Sequence, residues 1–259
     1  MTEGHLRAVV SDIATELKRT KRPLAVILAG HNGSGKSTLW YSHLVDALEI
    51  PLINADRMML SLLPEPKPGQ SLPAWAVQIR DNHASWMQVA QKGVEAFVAQ
   101  AIEKKVPFAM ETVFSHLKKD AGGRIVESKI DKIRQLQGEG YFVLLLFVGL
   151  ASAELSIARV KMRVANKGSS GHDVAINKLL SRFPRTQEAI AHALTVADAA
   201  LLVDNSRKPE DAFTLCRLQM KEAVPFDLRV AGKSSVPPEI TKWLDVVCPM
   251  NRGSQGLKS

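Results

Sequence analysis

The sequence predicts an α/β fold, a mostly parallel sheet flanked by helices with a helical lid, on three observations. Residues 30–38 read Gly-His-Asn-Gly-Ser-Gly-Lys-Ser-Thr and satisfy G-x-x-x-x-G-K-[ST], the phosphate-binding P-loop pattern. An apolar run at 23–29 precedes it and a helical stretch at 39–48 follows, which is the strand–turn–helix setting that the pattern requires. Strand-like and helical stretches then alternate as far as residue 204, the order of a parallel sheet with crossover helices. Together these make the fold P-loop NTPase-type.

The elements follow in order. Leu6, Val9, Val10, Ile13 and Leu17 fall at helical spacing, so an amphipathic helix over 3–19 precedes the first strand. A second strand at 52–54 ends near Asp56. Pro64, Pro66, Pro68 and Pro73 with Gly69 mark 61–73 as a loop or lid hinge. A helical stretch over 74–104, interrupted near Asn82, leads to a third strand at 106–110 that ends at Glu111. A helix over 124–137 stops at Gly138 and Gly140. The run 141–148 is apolar without a break, the mark of a strand covered on both faces. Helices over 152–165 and 174–196 are separated by a polar turn at 166–172 and form the lid, about 152–196. A strand at 199–203 closes on Asp204-Asn205. Beyond it, 213–218 and 226–230 read as a small hairpin and 237–247 as a short helix after Pro237-Pro238. The expected organisation is a P-loop domain over 1–206, an extension over 207–250 packed on its core, and a disordered tail over 251–259.

The P-loop pattern carries the first chemical expectation. Its glycines, Gly30, Gly33 and Gly35, let the backbone curl so that N–H groups face phosphate oxygens. Nucleotide contacts are therefore expected from Gly30, His31, Asn32, Gly33, Ser34, Gly35, Lys36, Ser37 and Thr38. Lys36 reaches the β- and γ-phosphates and Ser37 holds Mg²⁺. Ligands of open parallel sheets sit at the carboxyl ends of the strands, where Asn54, Asp56, Glu111, Asp204 and Asn205 fall. Asp and Asn also serve there as plain helix caps. Arg159, Lys161 and Arg163 share one predicted helix, and Arg182 and Arg185 lie on the next. They read either as a solvated face or as a lid whose guanidinium groups clamp a triphosphate. His172-Asp173 reads either as a pair that orients this lid or, more simply, as a helix start with Asp173 as its cap.

Composition bounds the classes. The 259 residues suffice for one large core or two small domains. The net charge of +8 suits an anionic ligand. The basic residues are scattered and aromatics make up only 5%, which argues against a nucleic-acid surface. Cys216 and Cys248 form no C-x-x-C pair, so a zinc site and a disulfide framework are not expected. Reduced cysteines and a polar start without a signal peptide fit the cytoplasm. The run 141–150 is too short to span a bilayer, so no membrane partner is expected.

Seven ordered segments together are more specific than the P-loop: G-H-N-G-S-G-K-S-T at 30–38, N-A-D-R-M at 54–58, M-E-T-V-F-S at 110–115, G-Y-F-V-L-L-L-F-V-G-L at 140–150, R-V-K-M-R-V at 159–164, G-H-D-V at 171–174 and D-N-S at 204–206. Over about 24–206 this set resembles the zeta toxin family of P-loop kinases, in particular the bacterial branch often labelled predicted ABC-type ATPase. The resemblance implies transfer of a phosphoryl group from ATP, with Mg²⁺, to a hydroxyl of UDP-N-acetylglucosamine. It implies Asp56 as general base, Glu111 with Thr112 beside it as acceptor contacts, and two lid arginines on the ATP phosphates. Arg163 matches one of these; Arg159, Arg182 and Arg185 compete for the other. Asn54 is a further candidate for holding the acceptor. An antitoxin protein is an implied partner. The chain departs from the branch at Val113, where E-T-T is usual, and at Ser170 and Ala175, where G-G-H-D-V-P is usual. The acceptor stays open between a UDP-N-acetyl sugar and another nucleotide, nucleoside or antibiotic. An ATP-hydrolysing switch is the reading from a different class. No L-S-G-G-Q signature is present, and Asn166-Lys167-Gly168-Ser169 lacks the aspartate of N-K-x-D.

Overall fold

The computed structural model describes residues 3–66, 70–165, 174–231 and 235–250. Helix α1 (Glu3–Thr20) leads into β1 (Leu24–Gly30), and the turn after β1 opens a helical run. That run is α2 (Lys36–Leu39), a π-turn at Trp40–Leu44, and α3 (Val45–Leu48). Next come β2 (Leu52–Ile53), α4 (Ala55–Ser61), α5 (Ala74–Asn82), α6 (Ala84–Glu103) and β3 (Phe108–Thr112). A hairpin of β4 (Leu117–Lys119) and β5 (Ile125–Ser128) precedes α7 (Ile130–Gly138) and β6 (Phe142–Gly149). The lid helices are α8 (Ala153–Ala165) and α9 (Ile176–Ala193), followed by β7 (Ala199–Asp204). The chain continues through β8 (Thr214–Met220), β9 (Ala223–Asp227), α10 (Leu228–Ala231) and α11 (Pro238–Val247).

Among the described residues the main sheet has seven strands in the order β2-β3-β1-β6-β7-β8-β9. The first five are parallel, and β8 and β9 turn back antiparallel. This is the mostly parallel, helix-flanked sheet that the alternation predicts. β1 lies between β3 and β6: the chain leaves β1 for the edge strand β2, comes inward to β3, and then crosses to the other side of β1, where β6 to β9 run outward in order. Such a switch in order opens a crevice at the carboxyl ends of the strands, and the P-loop fills that position after β1.

Strand alternation divides the core. Ala25, Ile27, Ala29, Val143, Leu145, Phe147, Ala200 and Leu202 face one side, packed with residues of α6, α7, α9 and α11. Val26, Leu28, Leu144, Leu146, Val148, Leu201 and Val203 face the other, under α1 and the helical run after the P-loop. Both faces of β1 and β6 are therefore dry, which explains why these strands read as unbroken apolar runs. Burying one such Leu or Val side chain stabilises by about 1.5–3 kcal/mol. The lid has a small apolar cluster of its own, Val160, Val174 and Leu179 with Ile157 against it.

Several boundaries differ from the sequence expectation. Residues 125–128 are strand β5, so the helix expected over 124–137 begins at Ile130. The C-terminal hairpin is displaced: β9 ends at Asp227, and Leu228–Ala231 is a helical turn. Asp227 explains the change, because its Oδ1 accepts from Arg229 N at 3.0 Å and caps that turn. Its partner strand is irregular, with a register shift between Leu218 and Met220 beside Pro225. Pro68, Gly69, the turn at 166–172, His172, Asp173 and the tail at 251–259 lie outside the described residues. Among those described, no helix is long and apolar enough to cross a membrane.

Candidate active site

Gly35 caps the helical run with φ 86°, a left-handed conformation that favours glycine. A Cβ at that position would also lie 2.6 Å from Asn205 Nδ2. Lys36, at the first helical position, is buried at 7% exposure, and its Nζ donates to the carbonyls of Gly30 at 3.2 Å and His31 at 3.0 Å. Burial pushes the Lys36 ammonium below its usual range, and Glu111, Arg163 and Asp56 act on it in turn, the carboxylates upward and the arginine downward. Those three charged groups converge on one lysine although the sequence spreads them over more than a hundred residues.

Glu111 is the hub of the acidic side. It sits near the carboxyl end of β3, paired in register with Leu28 of β1. Its Oε1 lies 3.8 Å from Lys36 Nζ. Its Oε2 accepts from Ser37 Oγ at 3.0 Å and from Asn54 Nδ2 at 2.6 Å. Asn54 does two jobs, because its Oδ1 also accepts from the backbone N–H groups of Asp56 and Arg57 and so starts α4. That cap places Asp56 in the first turn of α4, within electrostatic reach of Lys36.

Helices α8 and α9 bring further groups to this site. Ser156 Oγ of α8 donates to Asn32 O at 2.7 Å, which seats α8 against the phosphate loop. Arg159, one turn further, is drawn down from its usual range by burial and partly held up by Asp204. Arg163, another turn on, acts on Lys36. From α9, Arg182 is lowered by burial and by neighbouring Arg185. Arg185 Nη2 donates to Ser115 O at 3.0 Å, so its guanidinium is engaged with the segment after β3.

Two of the expected contact residues, His31 and Thr112, also make contacts within the protein. The His31 ring is 2% exposed, stacked on Phe183 at 3.9 Å and 13° and edge-on to Phe147 at 5.7 Å. Burial, with the charge of Lys36, holds its imidazole down to about 3, and Nε2 has no hydrogen-bond partner among the described residues. A neutral ring is thus packed between the P-loop and α9. Thr112 Oγ1 accepts from Phe114 N at 3.2 Å and closes a tight turn in which Phe114 has φ 62°.

Sequence reasoning noted Asn205 only as a strand-end residue, yet it holds the loop directly: its Nδ2 donates to Ser34 O at 2.9 Å. Phe183 carried no local signal, since a phenylalanine on an amphipathic helix reads as core. Among the described residues no three His, Cys, Asp or Glu side chains are grouped for a metal ion. The oxygens of Ser37 and Glu111 are hard donors of the kind Mg²⁺ takes, so these residues fit an ion shared with phosphate oxygens.

Comparison with known proteins gives a family and a fold. A family model described as zeta toxin matches residues 7–210. An uncharacterised protein of Haemophilus influenzae is 27% identical over 151 residues, 58% of this chain and 86% of its own length. Among solved structures, one from the PezAT chromosomal toxin–antitoxin system of Streptococcus pneumoniae aligns with TM-score 0.52 and 12% identity, over 94% of this chain and 89% of that one. A chain of the native AvrRxo1-ORF1:ORF2 complex aligns with TM-score 0.55 and 13% identity, over 95% and 70%. The same complex with ATP aligns with TM-score 0.54 and 14% identity, over 87% and 67%. At these identities the structural likeness is one of fold.

Proposed function

We propose that this chain, which belongs to the zeta toxin family, is a kinase that transfers the γ-phosphoryl group of ATP to a hydroxyl of a small acceptor. The observation that carries the reading is the convergence of Asp56, Glu111 and Arg163 on the buried Lys36 of the P-loop. ATP would lie along the loop from Gly30 to Thr38 with its terminal phosphates at Lys36. Mg²⁺, held by Ser37 and supported by Glu111, would neutralise charge on the β- and γ-oxygens. Asn54 and Glu111 orient the acceptor. Asp56 takes the proton of its hydroxyl as that oxygen bonds to the γ-phosphorus, and the bond from phosphorus to the β–γ bridging oxygen breaks to release ADP. Lys36 and Arg163, with Arg159 or Arg182 as the second lid contact, stabilise the charge on the transferring group. Closure of 152–196 excludes water and so protects ATP from hydrolysis.

A UDP-N-acetyl sugar is the acceptor that family membership favours, and the net charge of +8 suits an anionic one. A protein antitoxin is the proposed partner, and the cytoplasm the proposed compartment. The test is product analysis after incubation with labelled ATP, Mg²⁺ and a metabolite pool, read by mass spectrometry for gain of one phosphoryl group. Asp56→Asn should abolish transfer while leaving ATP binding within about twofold. Transfer retained in that variant rules out Asp56 as the base, and release of phosphate alone by the wild type favours an ATP-hydrolysing switch.

A further inference from the structure

We propose that the C-terminal helix α11 positions the phosphate loop, with Trp243 as the positioning residue; this rests on the nucleotide reading above. α11 lies beyond residue 210, where the family match ends. Trp243 is fully buried, and its Nε1 donates to Asp204 Oδ1 at 2.8 Å. Its ring lies on the backbone of Gly149, where a Cβ would come within 2.5 Å of the indole. Gly149 ends β6, Asp204 ends β7, and the two are register partners. One side chain from outside the matched region therefore spans the carboxyl edge of both strands.

The connection to the loop is short. Asp204 is 0% exposed, and its carboxylate also accepts from Ser206 Oγ at 2.6 Å and Ser206 N at 3.0 Å. Ser206 Oγ in turn accepts from Ala151 N at 2.8 Å, which ties the junction to the segment that leads into α8. Between these residues, Asn205 donates its N–H to Gly149 O at 3.2 Å and its Nδ2 to Ser34 O at 2.9 Å. The place of Asn205 thus depends on Asp204 and Ser206 on either side of it, and the place of Ser34–Gly35 depends on Asn205. α11 reaches the lid as well: Ile240, Trp243 and Leu244 share a core with Ala189, Ile190 and Ala193 of α9. Loss of the indole donor leaves a buried carboxylate with one fewer hydrogen bond. The 204–206 turn then relaxes, and the loop that must present its N–H groups to phosphate relaxes with it.

The test is ATP-Mg²⁺ affinity by calorimetry, well below the unfolding temperature, alongside nucleotide-free melting curves, for wild type, Trp243→Phe and Ser206→Ala. We expect W243F to bind ATP about tenfold more weakly, with S206A weakened in the same direction. A merely structural tryptophan would lower the melting temperature and leave the affinity of the folded protein unmoved. Wild-type affinity in folded W243F overturns the inference and leaves the nucleotide reading standing. Should W243F fail to fold, S206A decides: weakened binding supports the inference and unchanged binding overturns it. Absence of ATP binding by the wild type overturns both.

Discussion

His31 occupies a P-loop position, yet its side chain serves the joint between loop and lid. An imidazole of ordinary basicity, 6.5, would be charged in acid, but burial holds this one down to about 3. Between those two values the unfolded chain takes up a proton that the folded chain refuses. Stability is therefore unaffected above about pH 7 and falls as the solution is acidified through that window, at up to about 1.4 kcal/mol per pH unit. His31→Phe keeps the stack on Phe183 and removes the titrating group. Its melting temperature should fall less steeply from pH 6.5 to pH 4 than that of the wild type, and parallel curves would refute this. Lys36→Ala, by contrast, removes the ammonium proposed to meet the terminal phosphates, and transfer should drop by about a hundredfold or more.

At the scale of elements, three contacts that α9 makes with the rest of the molecule fall in one short stretch of that helix. Phe183 stacks on His31, Arg185 donates to Ser115 O, and Thr186 Oγ1 donates to Val113 O at 3.3 Å. Pro184 stands among them, inside the helix, and it supplies no N–H to the helical ladder. Pro184→Ala should leave the melting temperature unchanged or higher while lowering the transfer rate, if the proline sets the angle at which these neighbours meet their partners. An unaltered rate would show that Pro184 plays no such part. Val113, one of the residues that depart from the branch pattern, meets this stretch through its carbonyl, a contact that side-chain identity does not specify.

The same scale shows what was legible beforehand. The strands β1, β2, β3, β6 and β7 were readable because each is an apolar run closed by glycine, acid or amide, and the ends of β2, β3 and β7 brought Asp56, Glu111 and Asn205 to one edge. The hairpin of β4 and β5 was not. Leu117-Lys118-Lys119 and Ile125-Val126-Glu127 are too short and too charged for a clear period. The available signal was the turn, where Asp120 Oδ1 accepts from Gly122 N and Arg124 N, each at 2.9 Å. The roles of Phe183 and Trp243 were unreadable for a different reason: both depend on packing between helices and strands far apart in sequence, which no local pattern encodes.

For the whole molecule, binding and folding are linked. A ligand that recognises only the folded loop raises stability by about 2.7 kcal/mol at a hundred times its dissociation constant. ATP-Mg²⁺ at that excess should raise the melting temperature by several degrees for a chain of this size. Lys36→Ala should show little of this shift, and an equal shift in both proteins would place the ATP elsewhere. The charge balance of +8 contributes a field that draws polyanions from solution, so the ATP on-rate should fall as salt is added.

The sheet finishes at both margins in strands that give a neighbouring polypeptide little to zip onto. β2 is two residues long, and β9 carries Pro225, which brings no amide proton, beside a break in register. Short or proline-interrupted borders discourage one copy from adding its backbone to another. Replacing Pro225 by valine would restore a proton donor on that border, and light scattering of concentrated samples would then register a greater tendency to clump.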